Sequence, residues 1–171
     1  MKKNWYAVYT KAQSEKKASQ LLTKKRIENF CPLNSVVKET YNNRTKVVYE
    51  PLFPNFVFVN ITEADILFVK QSGGDILNFI YWLGKPAVIK TAEIENINQF
   101  VNSYYNISIE KTIVNPSGIV HISNENETNP DSKSENIKVS LPSLGYILKA
   151  ETKKTLPSFL RQNYSSSKLF A

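Results

Sequence analysis

The sequence predicts an α+β fold: a mainly antiparallel sheet with helices on one face over residues 1–108, then a small all-β module over residues 109–171. Three observations carry this expectation. Extended and helix-spaced segments interleave in the order β-α-β-β-α-β, with one more helix after them, as in two-layer α+β domains. After about residue 108 only short alternating runs remain. Between those runs lies an almost wholly polar stretch, SNENETNPDSKSEN from Ser123 to Asn136, which reads as a loop.

Asn4 to Thr10 alternates bulky and small side chains and is read as the first strand. Ala12 to Arg26 lacks Gly and Pro and is expected to be helical, with Ala18, Leu21 and Leu22 as a narrow apolar stripe on a basic background. Ile27 to Lys38 is extended and interrupted by Pro32. Tyr41-Asn42-Asn43-Arg44 has the residue types of a hairpin tip, and Lys46 to Glu50 is its return arm. In EPLFPNFVFV (Glu50–Val59), Pro51 and Pro54 forbid a helix, and from Asn55 onward a strand is expected.

Thr62 is placed to cap a short helix through Gln71, with Asp65 three residues later, and Gly73-Gly74 to end it. Ile76 to Trp82 reads as a strand and Leu83 to Pro86 as a turn. Thr91 is expected to cap a third helix, on which Ile94, Ile97, Val101 and Tyr104 recur at helical spacing. In the remainder, Ile119–Ile122, Ile137–Leu141 and Gly145–Ala150 are the strand candidates, with a turn at Pro142-Ser143 and a loose tail from Ser158. A module of this size has a marginal core.

Hydrophobic residues make up 42% of the 171, enough for a packed core. The formal net charge is +7, and its distribution is uneven. Residues 1–50 carry eleven Lys or Arg against four Asp or Glu, whereas residues 51–171 carry eleven of each. A basic first third suits a surface that faces nucleic acid, and equally a solvated lysine-rich helix. The one cysteine, Cys31, excludes an intrachain disulfide and fits a reducing compartment. No stretch reads as a signal peptide or a membrane span, so a soluble cytoplasmic protein with no membrane partner is expected.

Chemistry is sparse. His121 is the only histidine and lies on an alternating apolar run. Cys31 sits between Phe30 and Pro32, away from any basic neighbour that would activate a thiol. No spacing suggests a zinc site, a phosphate-cradling loop or a catalytic constellation, so neither an enzyme nor a cofactor is expected. Binding residues are more prominent. Trp5, Tyr6, Phe53, Phe56 and Phe58 form either ordinary core or an aromatic patch. Phe53, between two prolines, is the one expected to stand exposed. The arm Lys38–Lys46 is either a solvated hairpin or a nucleic-acid contact. A basic module that binds nucleic acid on its own fits these residues as well.

WYAVYTKAQSEKKASQLL, the hairpin leading into EPLFPNFVFV, and WLGKPAVI before an amphipathic helix together resemble the NusG family of transcription elongation factors over roughly residues 4–105. The branch resembled is the UpxY-like antiterminators of capsular or exopolysaccharide operons, whose second domain ends in a stretch similar to VSLPSLGYILKAE. The resemblance implies an NGN-type N-terminal domain followed by a degenerate KOW-like β domain, with the polar run standing where the family's glycine-bearing motif lies. It implies docking on the β′ clamp helices of RNA polymerase through Trp5, Tyr6, Pro51, Leu52, Phe53, Pro54 and Phe56. It also implies approach to upstream or non-template DNA by Lys38, Tyr41, Arg44 and Lys46. A ribosomal protein or termination factor would be the second domain's partner. The family's usual Gly before the strand aromatic is Asn55 here.

Overall fold

The computed structural model describes residues 2–39, 41, 44–114, 120–121 and 136–151. The expected tip residues Asn42 and Asn43, most of the polar run and the tail from Ser158 lie outside the described residues.

The first unit is organised around β1 (Asn4–Thr10), which pairs antiparallel with β5 (Phe56–Ile61), β6 (Ile76–Phe79) and β9 (Val88–Ile89), while β2 (Asn29–Phe30) extends the sheet beyond β5. Strand alternation then sorts side chains by face. Tyr6, Val8, Val57, Val59 and Ile61 meet Ala18 and Leu22 of α1 (Glu15–Lys24) and Val69 of α2 (Ile66–Lys70). Trp5, Ala7 and Phe58 face the other way, onto Ile94, Ile97, Phe100 and Val101 of α3 (Thr91–Ser103). Helices therefore cover both faces of the sheet. The expectation of one helical face fails because both residue sets of β1 and β5 are apolar, and each needs a cover.

Local chemistry sets the boundaries. α1 begins at Glu15 rather than Ala12 because Gln13 takes a left-handed φ of 61°. It ends where Arg26, φ 60°, donates to Thr23 and Ile27 donates to Leu22, a left-handed helix stop made without glycine. Before α2, the Asp65 carboxylate accepts from both the N–H and the hydroxyl of Thr62, which holds it below the usual carboxylate range. α3 starts at Thr91 itself, so Lys90, not Thr91, occupies the cap position.

β3 (Leu33–Glu39) and β4 (Thr45–Pro51) form a separate two-stranded arm of seven residue pairs. At ~3.3 Å per residue it extends over roughly 20 Å. β7 (Tyr81–Trp82) and β8 (Lys85–Pro86) make a second, very short hairpin. The all-β region contains β10 (Ser108–Lys111), β14 (Tyr146–Glu151) and β13 (Asn136–Leu141) in that spatial order, and β11 (Ile113–Val114) pairs with β12 (Val120–His121) as a separate two-stranded ladder. A Lys149–Glu110 ion pair crosses β14 and β10. This three-stranded sheet does not stand alone. Leu141, Leu148 and Ala150 join the same core as Trp5, Phe53 and α3.

Candidate functional site

After Pro51 closes β4, the chain turns. Leu52 N–H bonds the Pro32 carbonyl (2.8 Å), and Asn55 enters the left-handed region at φ 66°. Glu15 secures that turn by accepting the Asn55 N–H at 2.7 Å. Asn55 thus adopts the positive φ that glycine would take most easily, with its side chain exposed.

The turn drives Phe53 inward. It is only 2% exposed, edge-on to Phe58 (centroids 5.4 Å) and tilted against Tyr146 of β14 (5.8 Å). The expected exposed anchor is therefore buried. Pro51 and Pro54 flank this turn, and the later sheet lies over it. A fully buried Phe gains ~1.5–3 kcal/mol over an exposed one, so the turn retains its cover. Trp5, Leu52 and Phe53 share this face, Phe56 sits half-buried at its margin against Tyr9 (4.8 Å), Pro51 is half-buried and Pro54 exposed. Tyr6 does not share it. Its ring lies on the opposite face against Phe79, and its hydroxyl finds no hydrogen-bond partner among the described residues.

Polar contacts fasten the cover. Glu93, buried in the first turn of α3, accepts the Ser143 N–H on both carboxylate oxygens (3.2 Å each) and the Ser143 hydroxyl at 2.6 Å. In sequence Glu93 is a favourable helix-start residue and nothing more, so this role was not legible there. Beside the latch lies a cleft of about 160 Å³, bounded by Ala7, Tyr9, Phe56, Ile80, Leu144 and Tyr146. Burial, and then the nearby Tyr9, push the Tyr146 hydroxyl above its ordinary pKa.

The β3–β4 arm presents Lys38, Tyr41, Arg44 and Lys46, all exposed, and Tyr41 completely so. Lys38 and Lys46 stand directly opposite each other in register, and Lys38 leans to an ion pair with Glu50. Lys16 of α1 donates to the Tyr49 carbonyl, so the basic helix lies alongside the arm. At the arm's base, Asn34 donates to the Ile107 carbonyl (2.8 Å) and accepts the Ile107 N–H (3.0 Å). Asn106 donates to Ser35 and accepts from Val37, both at 2.9 Å. The arm is thereby tied to the segment that leads into β10.

Cys31 is half-buried, and its thiol is pushed up to about 12 by burial first and by the Glu15 carboxylate second, with Lys16 opposing. Among the described residues no three His, Cys, Asp or Glu side chains gather to hold a metal, and no helix is long and apolar enough to cross a membrane.

The fold has counterparts among known proteins. The sequence model described as "Transcription termination factor nusG" matches residues 3–98, more than half of the chain. A solved structure concerned with domain interaction in Thermotoga maritima NusG superposes with a TM-score of 0.52 at 20% sequence identity, covering 88% of this chain and 93% of that one. This likeness extends the shared fold into the all-β region, whose counterpart is KOW-like. NusG factors are non-enzymatic and bind RNA polymerase, and this chain belongs to the NusG family of transcription factors.

Proposed function

We propose that this protein is an elongation or antitermination factor. It would dock on the β′ clamp helices of RNA polymerase through the apolar face of Trp5, Leu52 and Phe53, with Pro51, Pro54 and Phe56 at the rim, and suppress pausing or termination at polysaccharide biosynthesis operons. Residues 1–108 act as the polymerase-binding unit and residues 109–171 as a degenerate KOW-like unit. The observation that carries the reading is the cover on that face. That apolar face packs on α3 of its own unit and also against the later sheet, through the Glu93–Ser143 latch and the apolar side chains of Leu141, Leu144, Tyr146, Leu148 and Ala150. Large apolar surfaces that can be bared are interaction sites. The cover is then an internal stand-in for the polymerase.

The arm supports the second half of the proposal. Lys38 and Lys46 stand opposite each other across the ladder, Lys38 ion-paired with Glu50 and Lys46 exposed to solvent. Lys38, Tyr41, Arg44 and Lys46 offer charge and an aromatic ring to upstream or non-template DNA. The remaining partner of the second unit would be a ribosomal protein or a termination factor.

The test is capture of core RNA polymerase by the full chain and by Ser143→Glu, which sets a carboxylate against Glu93. Binding that rises about tenfold, ~1.4 kcal/mol, in the variant supports the proposal. Absence of binding by both proteins, with steeply salt-dependent binding to free DNA instead, would favour a stand-alone nucleic-acid-binding module.

A further inference from the structure

Beside the covered face lies an exposed apolar hairpin tip. The β7–β8 hairpin carries Tyr81, Trp82 (74% exposed) and Leu83 (90% exposed) at its tip, and Val88 just beyond it is half exposed. Its two-residue turn places both Leu83 (φ 49°) and Gly84 (φ 76°) in the left-handed region, as a tight hairpin turn requires. Asn, Asp or Gly suits the first of these positions, and a leucine there is strained while its side chain stays almost wholly in solvent. Neither strain nor exposure serves the fold. Both are understandable if the side chain is held out for a partner.

The tip is continuous with the covered face. Ala87 N–H bonds the Ile80 carbonyl (2.8 Å) at the hairpin's base, and both residues line the cleft that ends at Leu144 and Tyr146 of the cover. Ile89, next after Val88, pairs with Trp5 inside the face itself. From Ile76 to Ala92 the only charged residues are Lys85 and Lys90, both exposed. The surface therefore suits an apolar stripe flanked by carboxylates. Tyr81 and Trp82 could stack a base, but the aliphatic Leu83 and Val88 are exposed beside them and only Lys85 and Lys90 carry charge along this stretch, which fits an apolar protein surface better than a single strand.

We infer that the β7–β8 hairpin is the uncovered rim of the polymerase-docking face, where an apolar, acid-flanked protein surface of the polymerase makes first contact before the C-terminal sheet is displaced. The inference rests on the docking proposed above. Trp82 would set the rate at which the closed chain engages, because it is the anchor already available.

The test measures association and dissociation of the full chain with core RNA polymerase, for Trp82→Ala alone and in the Ser143→Glu background. Glu93→Gln serves as a second opening substitution if Ser143→Glu lowers the yield of folded protein. Expected is an association rate about tenfold slower for Trp82→Ala in the closed chain, less than about threefold slower in the opened chain, and a dissociation rate changed little. An unchanged melting temperature is expected as well, since Trp82 is mostly in solvent. Equal slowing in both backgrounds, or none in either, would overturn the inference while leaving the proposed docking intact. Concentration-dependent dimerisation abolished by Trp82→Ala would overturn it too and assign the tip to a second copy of this chain. Failure of the unsubstituted and opened chains alike to bind polymerase would overturn both readings.

Discussion

Ser143 closes over Glu93 with its hydroxyl 2.6 Å from one carboxylate oxygen and its N–H within 3.2 Å of both. These contacts join a helix of the first unit to the β13–β14 turn of the second. Hydrogen bonds to a charged group contribute ~1.5–3 kcal/mol each at best. Ser143→Ala removes the hydroxyl and keeps the N–H, so a loss of about 1–2 kcal/mol is expected in a urea titration. It should be accompanied by faster hydrogen exchange at the buried Leu52 and Phe53 amides.

Phe53→Ala should be strongly destabilising, by ~3–5 kcal/mol, as for other buried phenylalanines. A drop in polymerase capture by this variant would then report folding as well as docking. Measuring the urea midpoint beside the capture separates the two. A midpoint unchanged from the unsubstituted chain would contradict the buried position of the ring.

Tyr6→Phe removes a buried hydroxyl with no hydrogen-bond partner among the described residues. Deleting an unpaired buried polar group is neutral or stabilising. The melting temperature should hold or rise, and polymerase binding should not change, because the ring faces α1 and α2 rather than the proposed docking face.

Lys46→Ala should separate the arm's stability from its proposed DNA contact. Removing one of two facing lysines relieves repulsion, so stability should stay level or rise by a few tenths of a kcal/mol. Binding to upstream-fork DNA in a polymerase complex should weaken, with the salt dependence of log K lowered by about one unit. Lys38→Ala should instead lose its ion pair with Glu50.

Cys31 should be inert in the folded chain near pH 8, since its thiol is pushed up to about 12. Alkylation by iodoacetamide should become fast only on unfolding. The unfolded thiol gives up its proton near its ordinary value of 9.0 while the folded one retains it, so stability should fall as pH rises from about 9 toward 12. A urea midpoint series across that window checks the sign, with Cys31→Ser as the control.

The strands and helices of the first unit were legible because their signals are local. Alternation placed β1 at the residues it occupies, and the apolar stripe of α1 turned to the core through Ala18 and Leu22. Phe56 and Phe58 share a face, as period two requires. What escaped the sequence was long-range. The cover on Phe53 comes from Tyr146, ninety-odd positions later, and proline stiffness carries no information about what lies above it. The separation of Tyr6 from Trp5 did follow from alternation, but aromatic composition obscured it. Glu93 showed only its helix-start role, because its partner Ser143 sits fifty residues away.

On the proposed docking, the face now covered by the C-terminal sheet is the one that meets RNA polymerase. Photocrosslinking reads this most directly, with p-benzoylphenylalanine placed at Phe56, the half-buried rim residue beside the cleft. The expected result is an intrachain adduct to the Leu144–Tyr146 segment in the free protein, replaced by an adduct to a large polymerase subunit when core enzyme is added. Persistence of the intrachain adduct alone, in chain shown to be polymerase-bound, would contradict the claim.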